Sequence, residues 1–492
     1  MATADWIVMA LYCLLMVTIG LWSYRKVSNT QDFYVAGGRM PWWLSGISHH
    51  MSGYSAAVFV AYAGVAYSYG FTLYVWWAVS ISIAVFAGAI FIAPQWVRLR
   101  LSLNIASPVE YLASRYNVPT QQLVAWSGVI LKLFDVGAKW ASIGVILNTF
   151  TGISLLNGIL LSGCLSLFYI SLGGLWADAL TDLAQFIVQL LAGISLFVIV
   201  LVKLGGASAV LTLWDRLPPE NSALFNGPYS AGFCLAYALI SFLSYNGGTW
   251  NLAQRYLAAP SASSVRRAAL LSSALYLVWP LILFFPMWAA PVFLPHLADP
   301  TQSYSLLAKT LLPPGLLGLV LASMFAHTMA MTTSDANAVS AVITRDIMPT
   351  FVGRLRKLSE TQALRLARLT TVTFTALTLV VAFEADRFGG ILDLLVLWFA
   401  GLVGPTAVPL ILGLLPAFRR SNSAAAMVSW GAGLVTFALL RYSFRVGLAA
   451  TLASPVAVSC VIFVLVGWVL PATQTSLHQS NLLRILGNDR DA

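Results

Sequence analysis

Residues 48–57, Ser-His-His-Met-Ser-Gly-Tyr-Ser-Ala-Ala, interrupt a stretch that is otherwise apolar enough to cross a lipid bilayer. Their histidine, serine and tyrosine side chains and their backbone carry polar groups that need partners at membrane depth, and hydrocarbon supplies none. A membrane helix that is interrupted in this way usually lines a cavity. The stretch therefore predicts a helix that is broken around a binding site.

The composition of the whole chain is that of an integral membrane protein. Of its 492 residues, 59% are hydrophobic and only 9% are charged, whereas soluble domains carry roughly 25% charged residues. The mean hydropathy is +0.83. The four cysteines are scattered through apolar segments and indicate neither disulfides nor a metal site. Apolar runs long enough to span a bilayer predict thirteen helices, near 5–24, 42–67, 71–94, 120–149, 152–172, 179–202, 230–250, 268–294, 312–342, 366–383, 389–417, 423–440 and 447–470.

The net charge of +10 could indicate a nucleic-acid partner or basic cytoplasmic loops, and the distribution of the basic residues along the chain favours cytoplasmic loops. With the N-terminus outside, most lysines and arginines fall in inner loops, Arg115 and Arg255 among them, as the positive-inside rule expects. We expect a multi-pass protein of the inner cell membrane with a cytoplasmic C-terminus and no nucleic-acid partner. Arg25 and Lys26 follow the first helix without a cleavage site, so that helix is expected to be retained. The absence of a soluble domain argues against an enzyme.

A second interruption, Tyr-Asn-Gly-Gly-Thr-Trp-Asn at 245–251, repeats the character of the first. Interrupted helices in corresponding positions of two halves indicate a transporter built from inverted repeats, although paired glycines also allow close helix packing. The prediction is an all-α membrane protein with two inverted five-helix repeats whose first helices are broken. The predicted divisions are an extra N-terminal helix and loop, the two repeats, and two C-terminal helices with a short tail, at 1–41, 42–203, 230–417 and 418–492.

Four motifs resemble the sodium:solute symporter family, in its order and at fitting spacings. They read FYVAGGRMPWW from Phe33, GGLWADALTD from Gly173, QRYLAA from Gln254 and TRDI from Thr344. The resemblance covers most of the chain. It implies a leucine-transporter-type fold, alternating access, and uptake of a small solute driven by an ion gradient.

The family's common sodium site uses backbone carbonyls and two adjacent hydroxyls. Counted back from the fourth motif without a gap, the resemblance places the carbonyls at Met51, Tyr54 and His327 but the hydroxyl positions at Ala330 and Met331, whose side chains cannot bind sodium. Shifting the nearby hydroxyls into register requires the removal of two residues, which rotates a helix by about 200°. We prefer the ungapped register.

In the ungapped register, Thr333 and Ser334 fall where some family members build a second sodium site, together with Asp182. An ionisable residue within a span is a functional hypothesis by default. As alternatives, the hydroxyls of Thr332, Thr333 and Ser334 bond back to their own helix. Asp182 could also be an interfacial acid at a helix start marked by Asp178.

Histidines near the first break allow proton exchange, because the unperturbed histidine pKa lies near neutrality. His49, His50 and His327 are the candidate proton sites, and the alternative is that they only hydrogen-bond unwound backbone. Another charged group, Lys132, Asp135 and Lys139, shares one helical face. It predicts either structural ion pairing or contact with a carboxylate solute. Asp393 has no obvious partner in the sequence.

The predicted substrate pocket is aromatic and apolar. Tyr245 matches a gating tyrosine of sugar-carrying relatives, but Val58 and Phe242 replace polar sugar contacts, so a hexose is disfavoured. A small organic acid, amino acid or similar compact solute fits better, although the tryptophans could be simple packing aromatics. The predicted pocket and gate residues are Ser52, Gly53, Trp76, Trp77, Tyr245 and Asn246.

The sequence as a whole predicts Na⁺-coupled symport of a small organic solute, with no cofactor besides the coupling ion. Proton coupling through the histidines and Asp182 is the nearest alternative. A membrane solute sensor that keeps the transporter fold is an alternative of another class. The expected partners are the solute, Na⁺ or H⁺, and the lipid bilayer.

Overall fold

The structure is a computed structural model that describes residues 1–384, 403–444, 446–470 and 477–487. These residues form helices and connecting turns, with no β-strand among them. The predicted all-helical class is therefore confirmed. The predicted span 389–417 lies partly outside the described residues, and Asp393 lies wholly outside them.

The principal helices follow the predicted apolar runs. We number those used below in chain order: α1 Thr3–Tyr24, α2 Trp42–Met51, α3 Ala63–Tyr69, α4 Ser80–Phe91, α5 Val118–Thr151, α6 Leu155–Leu204, α7 Ala231–Leu243, α8 Asn251–Leu257, α9 Ala262–Phe293, α10 Leu316–Val342, α11 Glu360–Phe383, α12 Gly404–Leu412, α13 Ser423–Ala438, α14 Leu448–Val469 and α15 Leu477–Gly487.

Both predicted helix breaks are confirmed. After α2 ends at Met51, the chain is not helical again until Ala57, and a π-helical turn, Val58–Tyr62, then leads into α3. After α7, the backbone takes positive φ angles at Gly247 (122°) and Trp250 (63°) before α8 begins. A positive φ is rare for a bulky residue, so Trp250 marks a distinct interruption. The breaks lie within the predicted repeats, whose boundaries stay a prediction.

The predicted spans 152–172 and 179–202 correspond to the run Leu155–Leu204, which we number α6, and the backbone leaves the helical conformation at Gly174 and divides this run into two helices. Gly174 has a φ of 51°, and a Cβ atom there would lie 2.4 Å from the backbone oxygen of Phe33. Only glycine fits this bend. Among the described residues, eight helices are long and apolar enough to cross a membrane, or up to nine if a bent pair is one span. The predicted number of thirteen is therefore not confirmed.

Helix α10 lies at the centre of the molecule. Of its most apolar window, 89% is buried, the highest share of any candidate span in the described residues. It packs against α1, α5, α6 and α11. The carboxylate of Asp5 in α1 accepts hydrogen bonds from the backbone of Gly315 and Gly318 at the start of α10, where a negative charge is favoured. The side chains of α10 therefore meet several helices at once.

Candidate functional site

A cavity of about 460 Å³ lies beside the first helix break. The predicted pocket residues Gly53, Trp76, Trp77 and Tyr245 line it, as do the further aromatic residues Tyr54, Tyr62, Tyr229, Phe233 and Tyr237. Predicted pocket residue Asn246 is directed elsewhere, since its side-chain amide donates to the carbonyls of Ala84 and Phe242 at 3.0 and 2.8 Å. The cavity is thus mainly aromatic, as the sequence indicates.

Hydrogen bonds join the two broken segments. The Tyr245 hydroxyl donates to the carbonyl of Gly53 at 2.8 Å, and the Asn251 amide donates to the carbonyl of Ser52 at 3.0 Å. A Cβ on Gly53 would lie 1.7 Å from the Tyr276 hydroxyl, so glycine permits this close approach. Unwound backbone inside a membrane protein needs such partners. Side chains at the second break therefore supply hydrogen-bond donors for two carbonyls of the first break.

The predicted proton sites surround the same breaks. The His49 ring hydrogen-bonds with the Ser272 hydroxyl at 2.8 Å and with the Tyr245 carbonyl at 3.1 Å. This is the contact with unwound backbone that the alternative interpretation of the histidines expects. His49 is therefore held by both of its ring nitrogens.

His50 and His327 both contact Tyr54. The Tyr54 hydroxyl lies 3.0 Å from His50 Nε2 and accepts a hydrogen bond from Gln189 at 2.6 Å, while its ring centroid lies 4.8 Å from that of His327. His327 Nδ1 meets the carbonyl of Ser323 at 2.7 Å. Within the described part of the chain, His50 Nδ1 and His327 Nε2 have no hydrogen-bond partner. Gln189, which the sequence analysis did not single out, holds this group together.

The positions implied for the common sodium site lie close by. Met51 is buried at the end of α2, and Met331 lines the cavity while Ala330 is fully buried. The Thr332 hydroxyl donates to the carbonyl of Thr328 at 2.7 Å, so it bonds back to its own helix. The cavity wall thus presents the thioether of Met331, and the register that aligns this residue with a family hydroxyl stays a prediction.

A second group of polar side chains, which we call the α6 carboxylate cluster, comprises Asp178, Asp182, Arg255, Thr333 and Ser334. The Thr333 and Ser334 hydroxyls lie 2.6 and 2.8 Å from the carboxylate oxygens of Asp178. Arg255 binds Asp178 and Ser334 and lies 3.4 Å from Asp182. The predicted hydroxyls are therefore brought to Asp178, one turn before the expected Asp182.

Asp182 contacts hydroxyls from the first broken helix instead. Its Oδ2 accepts from Ser48 at 2.6 Å and from Ser52 at 3.3 Å, and Ser52 is in turn 2.9 Å from the Ser334 hydroxyl. Both Asp178 and Asp182 are fully buried, and they follow the non-helical residue Gly174, after which the second part of α6 begins. The alternative in which Asp182 lies near a helix start therefore stays a prediction.

The position of Arg255 differs from the one expected from the distribution of charges. The charge count placed it in an inner loop, together with Arg115, yet both side chains are fully buried. Arg115 donates to the carbonyls of Gly413 and Phe418. Arg255 lies on α8, directly after the second break. Its position in the third motif was the one feature of the sequence that could have marked it as a functional residue. Counting cations by loop does not detect an arginine that turns back into the protein.

The charges of the α6 carboxylate cluster do not balance. Two carboxylates, Asp178 and Asp182, face one guanidinium, and all three side chains are fully buried. Asp182 Oδ1 has no hydrogen-bond partner among the residues that the structure describes. A buried charge without a counter-charge is costly. Two carboxyl groups of the cluster thus share one guanidinium, so either a proton on one carboxyl group or an additional cation would make the cluster neutral.

A third group is a quartet of two lysines and two aspartates, Lys132, Asp135, Lys139 and Asp335. Lys132 lies 2.5 Å from Asp335 and 3.5 Å from Asp135, and Lys139 lies 2.6 Å from each carboxylate. Asp335 on α10 is a partner that the sequence analysis missed. Asp135 and Lys139 also line the cavity. The structural pairing is thus real, and the quartet is at the same time part of the cavity wall.

Solved transporter structures share this fold. A substrate-bound, outward-open structure of a Na⁺-coupled sialic acid symporter matches with a TM-score of 0.85 at 20% identity, covering 97% of this chain and all of the other. Mhp1, a nucleobase-cation-symport-1 family transporter, matches with a TM-score of 0.57 at 14% identity, covering 92% and 98%. The chain therefore has the leucine-transporter-type fold, with its two broken helices beside one cavity.

The model of the sodium:solute symporter family matches residues 33–433. The chain belongs to this family. It is a multi-pass membrane transporter and not an enzyme, as the sequence predicts.

Several relatives with assigned functions are similar over most of the chain. The sodium/glucose cotransporter of Vibrio parahaemolyticus is 25% identical over 71% of this chain and 69% of its own length. The sodium/sialic acid symporter SiaT of Proteus mirabilis is 24% identical over 88% of each. The human sodium/iodide cotransporter is 27% identical over 92% of this chain and 70% of its own length. These relatives are coupled to sodium and differ in their solutes.

Proposed function

We propose that this protein imports a small organic solute together with Na⁺ by alternating access. The sodium in the names of its relatives supports the choice of ion. The observation that carries the proposal is the unbalanced α6 carboxylate cluster, which has two buried carboxylates and one buried guanidinium. A bound cation would neutralise the remaining charge.

Asp182 is the proposed carboxylate ligand of this ion, with Ser52, Thr333 and Ser334 nearby as hydroxyl oxygens. The free Oδ1 of Asp182 supports this assignment. For the common site, the proposal remains the carbonyls of Met51 and Tyr54 at the first break, where unwound backbone exposes oxygens suited to sodium, together with the carbonyl of His327 on α10.

The position of the α6 carboxylate cluster supports coupling between ion and solute. Its polar contacts join α2 through Ser48, the first break through Ser52, α6 through the aspartates, α8 through Arg255 and α10 through Ser334. α2 and α8 adjoin the two helix breaks, and the first break lines the cavity. An ion that pulls these side chains together would stabilise one arrangement of the broken helices. In the proposed cycle, the solute would bind the same arrangement more tightly.

The test uses the full-length protein in sealed vesicles with an inward sodium gradient. We expect uptake of a transported solute to require sodium and to be abolished in Asp182→Asn, which removes a charge with little change in shape. Asp215→Asn, an exposed carboxylate in the segment between α6 and α7, is the matched control and should transport normally. Full sodium-driven uptake by Asp182→Asn would remove Asp182 from the ion site.

Proton coupling is the second candidate, favoured by the unpartnered ring nitrogens of His50 and His327 within the described residues. Uptake that persists without sodium on either side and follows an imposed pH gradient would establish it in place of sodium coupling. A protein that binds solute but never moves it across the membrane would instead support a sensor. We further propose an inner-membrane location with the N-terminus outside, consistent with the distribution of basic residues.

A further inference from the structure

One face of the second part of α6 carries three polar side chains, Asp182, Gln185 and Gln189, which we call the α6 polar line. Their spacings of three and four residues place them on the same side of a helix. At a rise of about 1.5 Å per residue, Gln189 lies about 10 Å further along the helix than Asp182. All three side chains are fully buried. Polar residues inside a membrane span commonly mark pathways for ions or substrates.

The amide group of Gln185 is oriented by its contacts with α1. Its Nε2 donates to the Tyr12 hydroxyl at 3.1 Å and to the Met16 thioether at 3.5 Å. A thioether sulfur accepts hydrogen bonds and cannot donate them, so the amide nitrogen is the atom that faces Met16. The amide oxygen, Oε1, is left without a hydrogen-bond partner among the residues that the structure describes.

Gln189 repeats this arrangement one turn further on. Its Nε2 donates to the Tyr54 hydroxyl at 2.6 Å, and its Oε1 has no partner in the described part of the chain. Tyr54 lines the cavity. One end of the α6 polar line therefore meets the cavity, and the other end meets Asp182, whose Oδ1 is also unpaired within the described residues.

The unpaired atoms of the α6 polar line are all oxygens. Buried polar atoms in proteins are almost always paired, so three unpaired oxygens in succession, among the described residues, indicate a partner that visits them. A hard cation is such a partner, because it prefers oxygen ligands, side-chain amide oxygens included. An amide oxygen carries no net charge and holds a cation less firmly than a carboxylate does. Ion passage needs sites of this kind, which bind an ion and also release it.

We propose that Gln185 and Gln189 form a passage along which sodium moves between the cavity and Asp182, with their side-chain oxygens as successive transient ligands. The passage joins the two proposed ion sites, since Tyr54 belongs to the common site and Asp182 to the second. Both glutamines are fully buried, so the ion passes when these side chains move. This inference rests on the proposed function and adds the route by which the ion reaches Asp182.

The first experiment measures sodium binding to the purified full-length protein. A residue on a passage changes how fast an ion binds and leaves, but not the affinity of the final site. Gln185→Met keeps the length of the side chain and removes its oxygen. Stopped-flow tryptophan fluorescence after sodium is added or diluted gives the two rates, and thermal shift gives the affinity. We expect both rates to fall by about tenfold, since one interaction with a charged group is worth at least that factor, and the affinity to stay within about twofold.

Gln95→Met is the matched control, because it makes the same change at a buried glutamine of another helix, Ala93–Leu103. It should leave both rates unchanged. Equal slowing in Gln95→Met would assign the effect to the loss of any buried amide and overturn the passage. A lower sodium affinity in Gln185→Met, caused by faster dissociation alone, would make Gln185 a ligand of the final site and also overturn it.

Gln185→Glu separates the oxygen from the hydrogen bonds to α1. This variant loses the N–H donor to Tyr12 and Met16 but keeps an oxygen and adds a negative charge that holds sodium. We expect dissociation of sodium to slow and its affinity to rise by about tenfold. Slowing without any gain in affinity, as in Gln185→Met, would show that the contact with α1 matters and that the oxygen does not.

Gln189→Met tests the same passage at its other end and stands even if Gln185→Met does not fold. Wild-type rates in both variants, together with a sodium response of the wild type, would assign these oxygens to buried water. That result overturns the passage and leaves the proposed function intact. A wild type that shows no response to sodium contradicts the proposed function, and the passage with it.

Discussion

The α6 carboxylate cluster and the lysine–aspartate quartet are both fully buried, and both include residues of α10. Consecutive residues point in different directions on a helix, so Ser334 faces one group and Asp335 the other. The quartet balances two ammonium groups with two carboxylates. The cluster has one guanidinium for two carboxylates. The difference shows how neighbouring residues of one helix can contribute to two ion networks with different ratios of cationic and anionic groups.

The largest expected effect follows from removing the only guanidinium of the cluster. Arg255→Ala leaves Asp178 and Asp182 facing each other without a counter-charge and should lower the free energy of unfolding by about 3–5 kcal/mol. The measurement is thermal unfolding in detergent. The double variant Arg255→Ala with Asp178→Asn restores the original net charge and should recover part of that loss. Equal stability of the single and double variants would show that charge does not govern this cluster.

The next effect distinguishes the two groups by their response to sodium. A ligand at 100 times its dissociation constant stabilises a protein by about 2.7 kcal/mol. Sodium should therefore raise the unfolding temperature of the wild type relative to a large organic cation. The rise should disappear in Asp182→Asn and persist in Asp335→Asn, because Asp335 lies outside the proposed sodium site. If Asp335→Asn lost the rise instead, the two groups would have to exchange roles.

The smallest effect concerns the contact between the two helix breaks. Tyr245→Phe removes the hydrogen bond to the Gly53 carbonyl and should weaken solute retention by about 1 kcal/mol, with little change in the sodium response. Tyr256→Phe is the control, since that hydroxyl lies 3.5 Å from Asn246 and outside the cavity lining. Solute dissociation rates in vesicles measure the effect. Equal rates for Tyr245→Phe and wild type would argue against a gate.

Much of the fold follows from local chemistry that the sequence displays. Apolar runs predict the helices, and polar residues within such runs predict the breaks after Met51 and around Gly247. The break at Gly174, where the backbone leaves the helical conformation within α6, was less accessible from the sequence. A glycine in a sequence does not reveal whether a helix stops there or only turns.

The site was predicted in part. Asp182, Thr333 and Ser334 do lie in one buried group, but the hydroxyls meet Asp178. Residues four apart share a helix face, so the sequence cannot tell which of the two aspartates faces α10. Arg255 was missed for a related reason, since its charge alone is typical of an inner loop.

The sequence by itself determined that this is a multi-pass transporter with two interrupted helices. Polar residues that interrupt a membrane span are visible in a single stretch of sequence, and such an interruption usually lines a binding cavity. Only the tertiary structure decided which charges pair. Ser48 and Asp182 are 134 residues apart, and Lys132 and Asp335 are 203 apart. Whether a buried group is balanced depends on the sum of charges from several helices, and no single stretch of sequence contains that sum.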